Sequence, residues 1–185
     1  MLNLPENFQN YTEARKNGFI KMKELKETGK KVVGVFCTYT PNELVMAANA
    51  VPIGLCGVSE EPVTDAERVL PKNLCPLIKS SYGFALTDKC PYFYFSDMIL
   101  AETTCDGKKK MYELLNELKY THVMQLPPGR EGTKALEAWE GEMHRLKDVL
   151  EERLNVEITE TKLKEAIKLK NRERKAMLDF FEIGK

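Results

Sequence analysis

Residues 31–56 read "KVVGVFCTYTPNELVMAANAVPIGLC", and this stretch decides the fold class. It opens on a β-branched apolar run, 31–36, suited to a buried strand that Cys37 ends. Thr40-Pro41-Asn42-Glu43 then has the pattern of a capping box with proline at the first helical position, so a helix is expected to about Ala50. "VPIGLC", 51–56, is a second short apolar run, again closed by a cysteine. Strand, helix and strand in immediate succession make a unit whose two strands run parallel.

The same alternation continues on both sides. Upstream, Phe8, Tyr11, Phe19, Met22 and Leu25 recur at near-helical spacing within 7–28, and Gly29 stops that helix. Downstream, Thr64 and Glu67 are placed to cap a short helix that Pro71 ends, and "CPLIKSSYGFAL", 75–86, predicts a helix with Pro76 at its first position. "CPYFYFSDMILAETTC", 90–105, predicts one or two strands, the better one over Met98–Glu102. Cys105 leads into a helix over Lys108–Leu118, and "THVMQL", 121–126, reads as a further strand before the Pro127-Pro128-Gly129 break. From Glu131 the character changes to two long charged helices joined near 156–159, where Thr159 can cap the second. Leu136, Met143, Leu146, Leu150, Leu163 and Ile167 give them an apolar stripe of ordinary core type. The expected architecture is an α/β domain over 1–130, with a mostly parallel sheet and flanking helices, followed by a helical extension over 131–185.

Twenty-eight basic residues balance 28 acidic ones, which gives no electrostatic reason to expect nucleic acid or an anionic membrane as partner. The first residues lack the apolar segment of a signal peptide, and no long apolar run occurs, so a soluble cytoplasmic protein is expected. In a reducing compartment thiols serve as core residues, nucleophiles or metal ligands rather than as disulfides. All five cysteines, Cys37, Cys56, Cys75, Cys90 and Cys105, fall in the first 105 residues. That segregation points to chemistry in the first part of the chain.

Cys37 and Cys56 close strands, Cys75 and Cys105 open helices, and Cys90 precedes an expected strand. In parallel sheets the strand carboxyl ends and adjoining helix starts form one rim, where ligands bind. Structural zinc favours closely spaced cysteine pairs, which are absent, and His122 and His144 are remote in sequence. A long-range iron–sulfur site suits the spacing better, though spacing alone leaves inert buried thiols equally open. No Cys–His pairing supports a cysteine nucleophile. Lys108, Lys109 and Lys110 either offset anionic charge, dock a partner or form a solvated first turn. Glu102 reads as a proton donor or an exposed strand-end carboxylate. Ser80, Ser81 and Tyr82 point hydroxyls at a ligand or at helix carbonyls. His122 and Trp139 read as structural.

Three motifs, "GVFCTYTPNELVMAANAVPIGLC", "LPKNLCPLIKSSYGFALTDKCPYF" and "ETTCDGKKKMYELL", resemble the 2-hydroxyacyl-CoA dehydratase and benzoyl-CoA reductase family, most closely its double-cubane cluster branch. The resemblance implies a [4Fe–4S] or double-cubane iron–sulfur cluster, electrons from a separate ATP-dependent activator, and a homo- or heterodimer with a related subunit. In the double-cubane branch it implies reduction of small molecules; in the dehydratases, radical dehydration of a CoA thioester. Cys75 and Cys105 match cluster cysteines shared across the family, and Cys37, Cys56 and Cys90 match positions typical of the double-cubane branch. It identifies no catalytic residue. Members of the family are about twice this length, so the chain is expected to be the N-terminal half, with 131–185 connecting to a second α/β domain. A scaffold or dimerisation fragment without activity of its own is the remaining expectation.

Overall fold

The computed structural model describes residues 8–57 and 59–184. In chain order the elements are α1 (Phe8–Glu27), β1 (Lys31–Val35), α2 (Asn42–Ala47), β2 (Ala50–Gly54), α3 (Val63–Ala66), α4 (Pro76–Leu86), α5 (Pro91–Phe95), β3 (Met98–Glu102), α6 (Asp106–Leu118), β4 (Thr121–Met124), α7 (Thr133–Leu154) and α8 (Glu160–Glu182). The four strands form one sheet in the order β2-β1-β3-β4, and every pairing is parallel. The α/β reading, with a parallel sheet, flanking helices and long C-terminal helices, is what the structure has.

A parallel sheet covered on both faces needs strands that are apolar throughout. β3 meets that demand with all five residues buried. Its Met98 and Leu100 join a core with α2, α7 and α8, through Leu44, Leu146, Leu150 and Ala166. Ile99 and Ala101 point the other way, into a core built with α4 and α6 from Ile78, Tyr82, Met111 and Leu115. This period-two alternation divides the apolar payload between two layers of helix.

Several local expectations are corrected. The capping box at Thr40 does not form: Pro41 is the N-cap of α2 and no side chain caps it. The Thr40 hydroxyl instead donates to buried Glu102 Oε1 at 2.9 Å. α2 also stops at Ala47, because Asn49 turns into the left-handed region at φ 57° and Ala50 already belongs to β2. Thr64 lies inside α3 rather than capping it, behind Pro62. Residues 91–95, expected as strand, are α5: Cys90-Pro91 repeats the Cys75-Pro76 pattern of a helix start, and the Cys90 thiol accepts the Phe93 N–H. Leu136 is 68% exposed and Ile167 40%, so the ends of the predicted stripe face outward while Leu146 and Leu150 are fully buried. Thr159 does cap α8, accepting the Lys162 N–H. The residue-7 start expected for the first helix and the side chains of Phe8 and Tyr11 lie outside the described residues.

α1 is pinned to the sheet by Asp97, which accepts from Lys26 Nζ at 2.6 Å and from the Val32 N–H at 2.8 Å. The opposing cations and N–H outweigh the effect of burial and hold the Asp97 carboxyl below the usual range. Among the described residues no helix is long and apolar enough to cross a membrane.

Candidate metal centre

The sheet changes direction between β1 and β3: the chain leaves β1 for β2 on one side and β3 for β4 on the other. In such sheets the crevice at the strand carboxyl ends of that switch point is where ligands bind. Cys37 follows β1 there, and Thr104 and Cys105 follow β3; Cys37 Sγ and Thr104 Oγ1 lie 3.4 Å apart. Cys37 holds φ at 66°, a left-handed conformation rare for a residue with a Cβ. That turn directs its thiol toward α6. There Lys108 Nζ donates to Cys37 Sγ at 2.5 Å, and the Tyr112 hydroxyl stands 3.9 Å from the same sulfur.

Lys108 is the hub of the site. Burial pulls its ammonium pKa down, but the hydrogen bond to Cys37 and the charges of Cys37, Cys56 and Cys105 outweigh this and raise it. Of the five predicted thiols, Cys37 is the one in hydrogen-bond contact with this ammonium among the described residues. The start of α6 packs near the start of α4, which Cys75 precedes: a Cβ added at Gly107, two residues past Cys105, would fall 2.8 Å from Ile78 Cδ1 and 3.0 Å from Leu74 Cδ1. The starts of α4 and α6 thus lie close together, and a side chain at 107 would require the Ile78 or Leu74 side chain to shift. Cys75 and Cys105 are the N-caps of these two helices, and neither thiol makes a capping hydrogen bond. Cys56, Cys75 and Cys105 are exposed.

Cys90 stands apart. It is not among the groups acting on Lys108; it lines, with Cys56, Phe19, Phe84 and Tyr92, a separate cavity of about 310 Å³ between α1 and the end of β2. Among the described residues no group of three or more His, Cys, Asp and Glu side chains stands close enough to hold a single metal ion. His144 is exposed on α7, and half-buried His122 faces Glu142 and Arg145 of α7, its basicity lowered by burial. Both histidines are away from the thiols.

Glu102 is neither an exposed strand-end carboxylate nor free. It is fully buried, with Oε1 bound to Thr40 and Oε2 without a partner. Burial raises its pKa against the opposing effects of the Thr40 hydroxyl, the N–H groups of Thr40 and Tyr39, and Lys108. Burial likewise raises the Tyr112 hydroxyl, reinforced by Cys37, Glu102 and Cys105. Glu102, Lys108, Tyr112 and Cys37 interact electrostatically; the sequence marked Thr40 as a helix cap rather than as the partner of Glu102, and Tyr112 carried no mark beyond its place near a motif cysteine. Ser80 donates to the Ser59 carbonyl, and Ser81 donates to the Leu77 carbonyl while accepting the Gly57 N–H, so these hydroxyls clamp the loop after Cys56 onto α4 rather than facing a ligand.

A second, larger groove of about 810 Å³ opens beside the switch point, on the α7 side, between the 38–41 and 126–130 loops. Trp139, Leu136 and Met143 give it an apolar wall, and Arg130 and Arg174 lie at its border. Trp139, read as structural, packs on the core and lines this groove at once.

The family model of the 2-hydroxyglutaryl-CoA dehydratase D-component matches residues 37–185. YjiM of Escherichia coli (strain K12), provisionally named a dehydratase subunit, is 54% identical over 98% of this chain and 47% of its own length. The (R)-phenyllactyl-CoA dehydratase beta subunit of Clostridium sporogenes is 29% identical over 86% of the chain and 42% of its own length. A subunit of the benzoyl-CoA reductase of Thauera aromatica is 24% identical over 84% of the chain and 40% of its own length. The chain spans about half the length of the curated relatives it matches. With a family model covering nearly all of the chain from the first candidate thiol onward, the chain belongs to the 2-hydroxyacyl-CoA dehydratase family.

Proposed function

We propose that the chain is the cluster-binding part of an iron–sulfur redox protein of this family, a double-cubane-type reductase of small molecules. Cys37, Cys56, Cys75 and Cys105, with Cys90 at the edge, are the residues that would hold a [4Fe–4S] or double-cubane centre. The observation that carries the reading is the meeting, at the topological switch point, of the Cys37 thiol beyond β1 with Thr104, the neighbour of Cys105, beyond β3 and with Lys108 at the start of α6.

The donor set fits such a centre. Every candidate ligand is a thiol, the soft donor that iron–sulfur clusters take. The uncapped N–H groups at the starts of α4 and α6 favour a nearby anion by about 0.3–1 kcal/mol each at exposed sites. When bound, the cluster supplies low-potential one-electron transfer.

The protein's own groups do the rest. Burial raises the pKa of Glu102 and of the Tyr112 hydroxyl, and the latter stands 3.9 Å from the Cys37 sulfur. The partner proposed for electron delivery is an ATP-dependent activator, and a cytoplasmic dimer is completed by a related subunit. The role of 131–185 as a connector to a second α/β domain belongs to the same reading.

Anaerobic reconstitution of the full-length form with iron and sulfide tests it. About eight irons per chain would support the double-cubane reading; about four would favour a dehydratase subunit that dehydrates a CoA thioester, the kind of substrate named in the Clostridium relative; fewer than about four would sink both. Cys75→Ala and Cys105→Ala are each expected to lose the visible cluster absorbance, and iron retained in both variants would refute the ligand assignment.

A further inference from the structure

Three consecutive lysines open α6, and the structure treats them differently. Lys109 pairs with Asp106 at 3.1 Å and Lys110 with Glu113 at 2.5 Å, all on the exposed surface. Lys108 alone of the three turns inward, and among the described residues no carboxylate stands within ion-pair reach of it. Its partner is the sulfur of Cys37, 71 residues away in sequence.

A lysine in the first turn opposes the helix macrodipole, at a cost of about 0.3–1 kcal/mol. In a helix the Cα–Cβ bond tilts toward the N-terminus, so a long side chain at the third position reaches back over the cap residue. Here that geometry brings the Lys108 ammonium over Cys105 and onto Cys37, where negative charge collects if the thiols ionise. A strained Cys37 backbone supplies the other half of the contact, turning the thiol to meet the lysine.

We infer that Lys108 is a positioning residue that sets the reduction potential of the proposed cluster by donating an N–H···S hydrogen bond to the Cys37 thiolate. The inference rests on Cys37 being a cluster ligand. A fixed positive charge and a hydrogen bond at a ligating sulfur both stabilise the more negative, reduced state, and so raise the potential. Lys109 and Lys110, tied to their own carboxylates and facing water, exert no comparable effect.

The test compares the parent full-length form with its Lys108→Met, Lys108→Arg and Lys109→Met variants, all reconstituted anaerobically with iron and sulfide. Iron and sulfide are assayed, and the midpoint potential is measured by redox titration followed by electron paramagnetic resonance. Equal iron in all four is expected, with the Lys108→Met midpoint shifted to a more negative potential and the Lys108→Arg and Lys109→Met midpoints near the parent value. A Lys108→Met midpoint equal to the parent's would overturn the inference while leaving the cluster reading intact. An arginine variant shifted as far as the methionine variant would overturn it too, since the charge and donor were kept. Iron lost from the methionine variant but kept in the arginine variant would replace potential control by an assembly role. A parent full-length form that takes up no iron removes the cluster reading itself.

Discussion

Cys37 sits in the left-handed region, where a residue with a Cβ is disfavoured by about 1–2 kcal/mol and glycine is at ease. The strain belongs to the backbone, so it is separable from the thiol chemistry. On the metal-free chain Cys37→Gly is expected to be more stable than Cys37→Ala by about 1 kcal/mol in urea unfolding, after allowing for the extra flexibility of glycine in the unfolded state. An alanine variant equal to or above the glycine variant would show that φ is relaxed in solution. Glu102 makes a pH-dependent prediction. Its folded pKa is raised, so its contribution to stability is fully present below the unfolded value of about 4.3 and is lost as pH rises through the folded one. Glu102→Gln, neutral at every pH, should therefore gain stability over the parent at pH 7 and lose that advantage below about pH 4. Denaturant melts at the two pH values check it; the same difference at both would mean that burial is not what governs this carboxyl. None of this was visible in "ETTC": whether a strand-end carboxylate is covered depends on Thr40, 62 residues distant, folding over it.

Three helices share a device: α4, α5 and α6 each begin behind a cysteine N-cap. Thiols are poor caps, and only Cys90 performs the capping bond, so α4 and α6 depend on tertiary contacts to hold their starts in place. For α4 the decisive contact is at Gly83, where an added Cβ would lie 2.2 Å from the Pro62 carbonyl oxygen. That obstacle is backbone and cannot swing aside. Gly83→Ala is expected to cost about 1–3 kcal/mol or more, despite alanine's better helix propensity, because α4 must lift off the α3 turn. An increase in melting temperature would contradict the packing. At the opposite edge, Asp97 joins α1 to β1 through a lysine and a backbone N–H. Asp97→Asn should cost about 1.5–3 kcal/mol at neutral pH. Its folded pKa is lowered, so the parent's advantage is present above the unfolded value of about 3.9 and fades as acid takes the pH down through the folded one.

At the scale of the whole molecule, what the sequence made legible was what neighbouring residues encode. The β-branched run at 31–36, the apolar run at 98–102 and the proline-led helix start at 76 each carry their own signal, and their alternation implies the parallel sheet. The places of Cys37 and Cys56 just beyond β1 and β2, and of Cys75 and Cys105 at the starts of α4 and α6, followed from that alternation. The misreadings arose where long-range partners override local pattern: Thr40 abandoned a capping role for Glu102, and aromatic 91–95 coiled behind Cys90-Pro91 instead of extending. The long C-terminal helices show the same principle on a larger scale. Leu146, Leu150 and Leu154 of α7, with Ile158 and Ala166 beyond, lie in one core with Val33 and Val35 of β1, Leu100 of β3 and Met124 of β4. A helix that supplies the floor of the sheet cannot melt while the sheet stays folded. Leu150→Ala, at a fully buried position, should therefore destabilise the chain by about 2–5 kcal/mol through lost burial and the cavity left behind. The loss should appear as one transition, coincident by far-ultraviolet dichroism and by fluorescence of Trp139, which sits on α7 against this core. Two transitions, with the tryptophan signal lost first and β structure surviving, would instead mean that α7 opens as a separate unit. The switch-point thiols on β1 and β3 would then keep their arrangement without it, and the Leu150→Ala chain would still take up iron at temperatures where its tryptophan signal is gone.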